Sequence, residues 1–186
     1  SNGCIYITTE SNRTYCLDGN LSEVWNFTLN GTPNSPALLI YNRTTPIQKA
    51  VCITTRDGHF YVLNAYNGTV VFNITLNSSI CVSPVSFGRR YLPQVHIVTM
   101  NGDFYIYKYP ETWEYNHHCP SGNFTVNMIF RIYGTTDDNW RAFYLTSDGK
   151  VYVLWCILNE FHFSYLYLVI LISLLLSFIP LFHNYE

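Results

Sequence analysis

Ala50-Val51-Cys52-Ile53-Thr54-Thr55, Arg56-Asp57-Gly58, His59-Phe60-Tyr61-Val62-Leu63-Asn64, Tyr66-Asn67-Gly68 and Thr69-Val70-Val71-Phe72-Asn73-Ile74 follow one another without a break. The three longer runs are rich in branched and aromatic residues, which fit a pleated, half-buried surface. The two short segments end in Asp-Gly and Asn-Gly. Such pairs favour two-residue hairpins of type I′, where both central residues need φ > 0. The stretch therefore predicts strand, turn, strand, turn, strand.

The same unit recurs with varying fidelity. Upstream, Ile5-Tyr6-Ile7-Thr8-Thr9 leads through Ser11-Asn12 to Thr14-Tyr15-Cys16-Leu17-Asp18, a Gly19-Asn20 turn and Val24-Trp25-Asn26-Phe27. Downstream, Val95-His96-Ile97-Val98-Thr99 leads through Asn101-Gly102 to Phe104-Tyr105-Ile106-Tyr107, and Ala142-Phe143-Tyr144-Leu145 leads through Asp148-Gly149 to Val151-Tyr152-Val153-Leu154. The shared tyrosines, Tyr15, Tyr61, Tyr105 and Tyr152, stand 46, 44 and 47 residues apart. That period suits one four-stranded propeller blade per unit. Ser35-Pro36-Ala37-Leu38-Leu39-Ile40 and Ser83-Pro84-Val85-Ser86-Phe87 lie between units and are expected to supply the innermost strand of the next blade, since proline is tolerated at a strand's first position. The expected architecture is all-β: a partial β-propeller of about three to four antiparallel blades, followed by one hydrophobic helix. The expected organisation is repeats over 1–158 as an incomplete ring, a candidate transmembrane helix over 161–182, and a tail over 183–186.

The tyrosine strand of the Tyr15-Cys16-Leu17-Asp18 type, a glycine turn, Val24-Trp25 or Phe72, and Ser-Pro opening the next blade together resemble the quinoprotein-like (PQQ-type) propeller repeat. No Trp-Asp dipeptide closes a blade and no kelch-type double glycine occurs. Within that superfamily, the run from Tyr15-Cys16-Leu17-Asp18 through Thr55-Arg56-Asp57-Gly58 to Val82-Ser83-Pro84-Val85 looks like the carboxy-terminal propeller of the β-alanine-activating (acyl-adenylating) enzymes. That resemblance implies adenylation and carrier domains upstream and a non-catalytic role for this part.

Composition narrows the function. With net charge −2 and 12% charged residues in 186, no basic field exists to hold a phosphate backbone, so nucleic acid is not an expected partner. The six cysteines form no Cys-x-x-Cys pair. Several sit in apolar runs, where a reduced Cys behaves as a small hydrophobe. True quinoprotein dehydrogenases resemble this chain only in the repeat, because their cofactor implies a calcium site and a vicinal cysteine pair, and no Cys-Cys occurs here. Asp137 and Asp138 are adjacent, which in an extended segment aims them at opposite faces. His117-His118-Cys119 is the one cluster of metal-ligand types, and adjacent residues rarely close on one ion with good geometry. Trp25, Phe72 and Trp113 suggest a stacking platform, though aromatics at a fixed repeat position more often pack between blades. No catalytic residue, cofactor or metal is expected.

Two outward signals remain. Residues 161–182 contain no Lys, Arg, Asp or Glu, long enough as a helix to cross a bilayer. The repeat pattern is lost after Trp155, so a second reading of the tail is a read-through that replaced further blades. Asn12, Asn20, Asn26, Asn30, Asn42, Asn67, Asn73, Asn77 and Asn123 each open an Asn-x-Ser/Thr triplet; chance at this composition gives about three. Asn42, Asn67 and Asn123 are the expected glycan sites, ahead of Asn26 and Asn73, which fall inside predicted strands. The sequence thus predicts a membrane-anchored glycoprotein scaffold facing the lumen or exterior, with an unknown protein partner. The alternative is a cytoplasmic accessory propeller needing neither anchor nor glycans.

Overall fold

The computed structural model describes residues 3–42, 48–80, 82–89, 92–110, 112–118, 124–130, 140–146, 150–157 and 160–167. Strands are the only regular elements among them. The chain divides into two compact units, Ser1–Gly122 and Asn123–Glu186.

The first unit holds three antiparallel meanders. Blade 1 runs β1 (Ile5–Thr9), β2 (Arg13–Leu17), β3 (Glu23–Thr28). Blade 2 runs β4 (Leu38–Asn42), β5 (Gln48–Thr54), β6 (His59–Asn64), β7 (Val70–Thr75). Blade 3 runs β8 (Val85–Arg89), β9 (Leu92–Val98), β10 (Asp103–Lys108), β11 (Thr112–His118). The Ser-Pro segments do lead into β4 and β8, as expected.

Register explains the core. Cys52 pairs with Val62 and Ile53 with Tyr61, so side chains of β5 and β6 alternate between the two faces of the sheet. Ala50, Cys52, Phe60 and Val62 join Val95, Ile97 and Tyr107 in the layer between blades 2 and 3. Val51, Ile53, Tyr61 and Leu63 join Cys16, Trp25 and Leu29 between blades 1 and 2. Blade 2 is thus buried on both faces. Each fully buried Val, Leu, Ile or Phe contributes about 1.5–3 kcal/mol relative to exposure.

The turns differ from type I′. Gly58 N–H donates to Thr55 O at 3.1 Å and Thr55 N–H to His59 O at 2.9 Å, enclosing the three-residue loop Arg56-Asp57-Gly58. Gly102 N–H donates to Thr99 O at 3.0 Å, enclosing Met100-Asn101-Gly102. Both glycines have φ 89°, and neither Asp57 nor Asn101 has positive φ. These are three-residue hairpin loops whose last residue is left-handed. The extra residue has a partner in the repeat's threonine: Thr55 Oγ1 accepts from His59 N–H at 3.1 Å, and Thr99 Oγ1 from Asp103 N–H at 3.2 Å. In blade 1 the left-handed position is held by Asn12, φ 61°. In its second turn the same role falls to Leu21, φ 63°, rather than to Gly19 or Asn20.

The second unit holds one described sheet: β12 (Phe124–Phe130), β13 (Trp140–Thr146), β14 (Lys150–Ile157) and β15 (Glu160–Tyr167), in sequence order. Asp148 and Gly149 lie outside the described residues, between β13 and β14, which pair antiparallel. Strand β15 pairs with β14 from Ile157↔Glu160 to Lys150↔Tyr167. Residues 161–167, expected to begin a helix, are therefore in the sheet. The reason is visible in Phe161-His162-Phe163-Ser164-Tyr165, an aromatic-rich run alternating with polar residues, which suits a strand. The rest of that stretch, 168–182, lies outside the described residues, as does the tail. Among the described residues no helix is long and apolar enough to cross a membrane.

Candidate interaction surface

One repeat position carries a titratable side chain in each blade of the first unit: Tyr6, Cys52 and His96, three residues before the turn threonines Thr9, Thr55 and Thr99. Burial holds all three neutral. It pushes the Tyr6 hydroxyl and the Cys52 thiol up and His96 down to about 3. Tyr6 also donates to Ala65 O at 3.1 Å. Cys16 is pushed up to about 11, by burial first and then by the neighbouring Cys4 thiol. Cys4, Cys16 and Cys52 are free thiols. A thiol raised this way is not a thiolate near neutral pH, and Cys16 and Cys52 pack in the inter-blade layers.

The aromatic candidates separate. Phe72 and Trp113 stack with centroids 5.8 Å apart, and Phe72 stacks on Tyr107 at 4.8 Å, all between blades 2 and 3. Trp25 lies in the other layer, with Nε1–H donating to Ala65 O at 3.1 Å and its ring under Gly68, where a Cβ would come within 2.8 Å. No common platform forms. His117 pairs with Phe104 and His118 with Asp103 along β11, and His118 Nδ1 meets Asp103 Oδ1 at 2.7 Å. Cys119, Asp137, Asp138 and Asn123 lie outside the described residues. Among the described residues no three His, Cys, Asp or Glu side chains gather as a metal site would require.

The triplets sort by face. Asn67 is exposed in its turn, and its Oδ1 accepts from Thr69 N–H at 3.1 Å and from the Thr69 hydroxyl at 2.8 Å. Asn42 is only 4% exposed at the end of β4. Asn26 and Asn73 are both exposed, although they lie within β3 and β7. The sequence pattern marked these two as strand residues but could not say which face they take.

The largest contrast is on the flank of blade 1. Ile5 and Ile7 are 44% and 40% exposed, while Val51, Ile53, Val95 and Ile97, at the matching positions of blades 2 and 3, are 0%, 0%, 0% and 1%. In blades 2 and 3 the preceding blade covers them.

No protein-family model matches the sequence, and no curated protein does. Solved structures do. A crystal structure of BBS1N in complex with ARL6DN matches at 19% identity and TM-score 0.58, covering 87% of this chain and 50% of that one. BamB from Moraxella catarrhalis matches at 14% identity and TM-score 0.58, covering 89% and 50%. The WD40 domain of SCAP from fission yeast matches at 9% identity and TM-score 0.51, covering 89% and 45%. The fold is that of a β-propeller. The chain spans about half the length of the solved structures it matches.

Proposed function

We propose that the chain is a non-catalytic propeller module that binds a protein partner, and that the exposed flank of blade 1 is closed by a further apolar β-sheet face, whether of that partner or of another part of the same protein. The observation that carries this is the exposure of Ile5 and Ile7 where their counterparts in blades 2 and 3 are covered by a sheet of the same repeat type. Covering apolar area stabilises a complex by roughly 25 cal/mol per Å² before the losses of association. A similar structure is itself a propeller in complex with a protein, which supports the reading. A photo-crosslinking residue at position 7 of the full chain should give a protein adduct, while the same residue at exposed Glu10 should not. Equal labelling at both positions would sink the idea.

The same proposal puts the propeller on the lumenal or exterior side of a membrane. Nine triplets and the uncharged stretch 161–182 support it. Residues 161–167 of that stretch lie in β15, and 168–182 lie outside the described residues. The compartment therefore rests chiefly on the triplets. The quinoprotein-like repeat is the kinship that Tyr15, Tyr61 and the turn glycines favour. The rival is a cytoplasmic accessory propeller of an acyl-adenylating enzyme, which would need neither anchor nor glycans. Gel mobility of the protein from its own cells, before and after glycosidase, separates the two: a shift favours the lumenal module and none favours the rival.

A further inference from the structure

We infer that Asn26 and Asn73 carry N-linked glycans that cover the outer edges of blades 1 and 2, an inference that rests on the lumenal reading above. Strands β3 and β7 are the last strands of their sheets, so each presents a row of unpaired backbone groups that can template another chain. Proteins usually blunt such edges with charge, proline or a bulge. Both edges have a bulge near the start, where the register slips at Cys16/Leu17 and at Val62/Leu63. Beyond it the defences end. Val70–Thr75 contains no charged residue, proline or glycine, the composition of a segment prone to stacking between chains. β3 has Glu23 alone, and the Asn26 amide donates to its Oε1 at 2.6 Å.

Asn26 and Asn73 occupy one register position. Asn26 lies opposite Tyr15 and Asn73 opposite Tyr61, the tyrosines that define the repeat. Tyr61 packs in the layer toward blade 1, so Asn73 is on that same face and is nevertheless exposed. Its position at the outer edge keeps it in solvent even with a blade packed on its face. Asn26 therefore stays accessible whatever covers the flank of blade 1. Each opens a complete triplet, ending at Thr28 and Thr75. A glycan at this position projects from the middle of the bare edge and denies it to a second strand.

The test is site mapping by mass spectrometry of the full chain purified from the cells that make it, with glycosidase in heavy-oxygen water marking each occupied Asn. Label at both Asn26 and Asn73 is expected. Thr28→Ala with Thr75→Ala should remove both labels and two mobility steps, and Thr28→Ser with Thr75→Ser should keep them, separating loss of the triplet from loss of the fold. Label at Asn67 or Asn77 with Asn26 and Asn73 bare would overturn this inference and leave the lumenal reading standing. No label at any triplet would overturn both.

Discussion

Blades 1 and 2 are built from the same repeat, yet they sit in different surroundings. The central strand of blade 1 is Arg13-Thr14-Tyr15-Cys16-Leu17 and alternates between buried and part-exposed residues. That of blade 2, His59-Phe60-Tyr61-Val62-Leu63-Asn64, is buried at all four inner positions. Composition does not separate them. Blade 2 has a sheet on each face, whereas blade 1 has one, on the side of Cys16 and Trp25. The turns differ as well: blade 2 places glycine at both left-handed positions, and blade 1 uses Asn12 and Leu21. Burial here is a property of the neighbour, and turn quality a property of the residue.

Matched tyrosines should give the largest divergence. Tyr61 is 5% exposed, its ring lies edge-on to Phe27 at 5.6 Å, and its hydroxyl accepts from Asn30 N–H at 3.1 Å. Tyr61→Ala should cost about 3–5 kcal/mol, as large-to-small aromatic changes in cores do. Tyr15→Ala, at the half-buried counterpart, should cost about 1 kcal/mol. Denaturant midpoints measure both, and equal losses would mean that the flank of blade 1 is covered in solution.

The turn glycines come next. A Cβ on Gly58 would meet Ser78 O at 2.6 Å and Leu76 O at 2.8 Å, at φ 89°. Both obstacles are backbone, so Gly58→Ala should lose about 3 kcal/mol, from the left-handed penalty plus overpacking. Asn12→Ala at the equivalent turn of blade 1 meets only the first of these and should lose about 1 kcal/mol. Similar thermal melts for the two variants would contradict the geometry.

Some of this was readable from residues and some was not. The blade period, the Ser-Pro strand entries and the places of the Gly58 and Gly102 turns, though not their three-residue form, were legible because they depend on local chemistry. Asn12 and Leu21 were not, since a left-handed residue other than glycine leaves little mark. A better signal was available: Thr9, Thr55, Thr99 and Thr146 repeat at 46, 44 and 47 residues, and three of them open the described hairpins. Strand β15 was hidden because its aromatics run straight into an apolar stretch. The exposures of Asn42 and Asn73 were not legible for a different reason. A strand residue's exposure is set by sheet position and by the neighbouring blade, and neither is written in the triplet.

pH extends the comparison to blade 3, because Tyr6, Cys52 and His96 share one repeat position. The folded value of His96 is about 3, against 6.5 for the ordinary group, so the unfolded chain takes up the proton first. Stability is then full above about pH 6.5 and should fall by about 1 kcal/mol per pH unit as pH drops toward 3. Cys52 is shifted upward and acts in the opposite sense: the unfolded thiol ionises first, so stability falls as pH rises past about 9. Melting temperatures from pH 7 to 5 check the acid limb. His96→Leu should flatten it and Tyr6→Phe should leave it unchanged; an unchanged slope in His96→Leu would assign the limb elsewhere.

The smallest effect is expected at Leu21, and it has the opposite sign. Leu21 has φ 63° and is 67% exposed, with its N–H donating to Asp18 O at 3.0 Å. The bulky side chain adds little burial there, while the left-handed backbone costs a residue with a Cβ about 1–2 kcal/mol. Glycine removes that strain but adds about 0.5–1 kcal/mol of unfolded-state entropy. Leu21→Gly should therefore stabilise the chain by about 0.5 kcal/mol, raising its melting temperature slightly. Gly68 holds the matching position in blade 2 at φ 71°, but Trp25 lies against it, so Gly68→Leu must displace an indole and should be strongly destabilising. If Leu21→Gly instead lowers the melting temperature, Leu21 is making an apolar contact in solution. The second turn of blade 1 would then be covered, and the contrast with blade 2 would shrink to the residues of the turn.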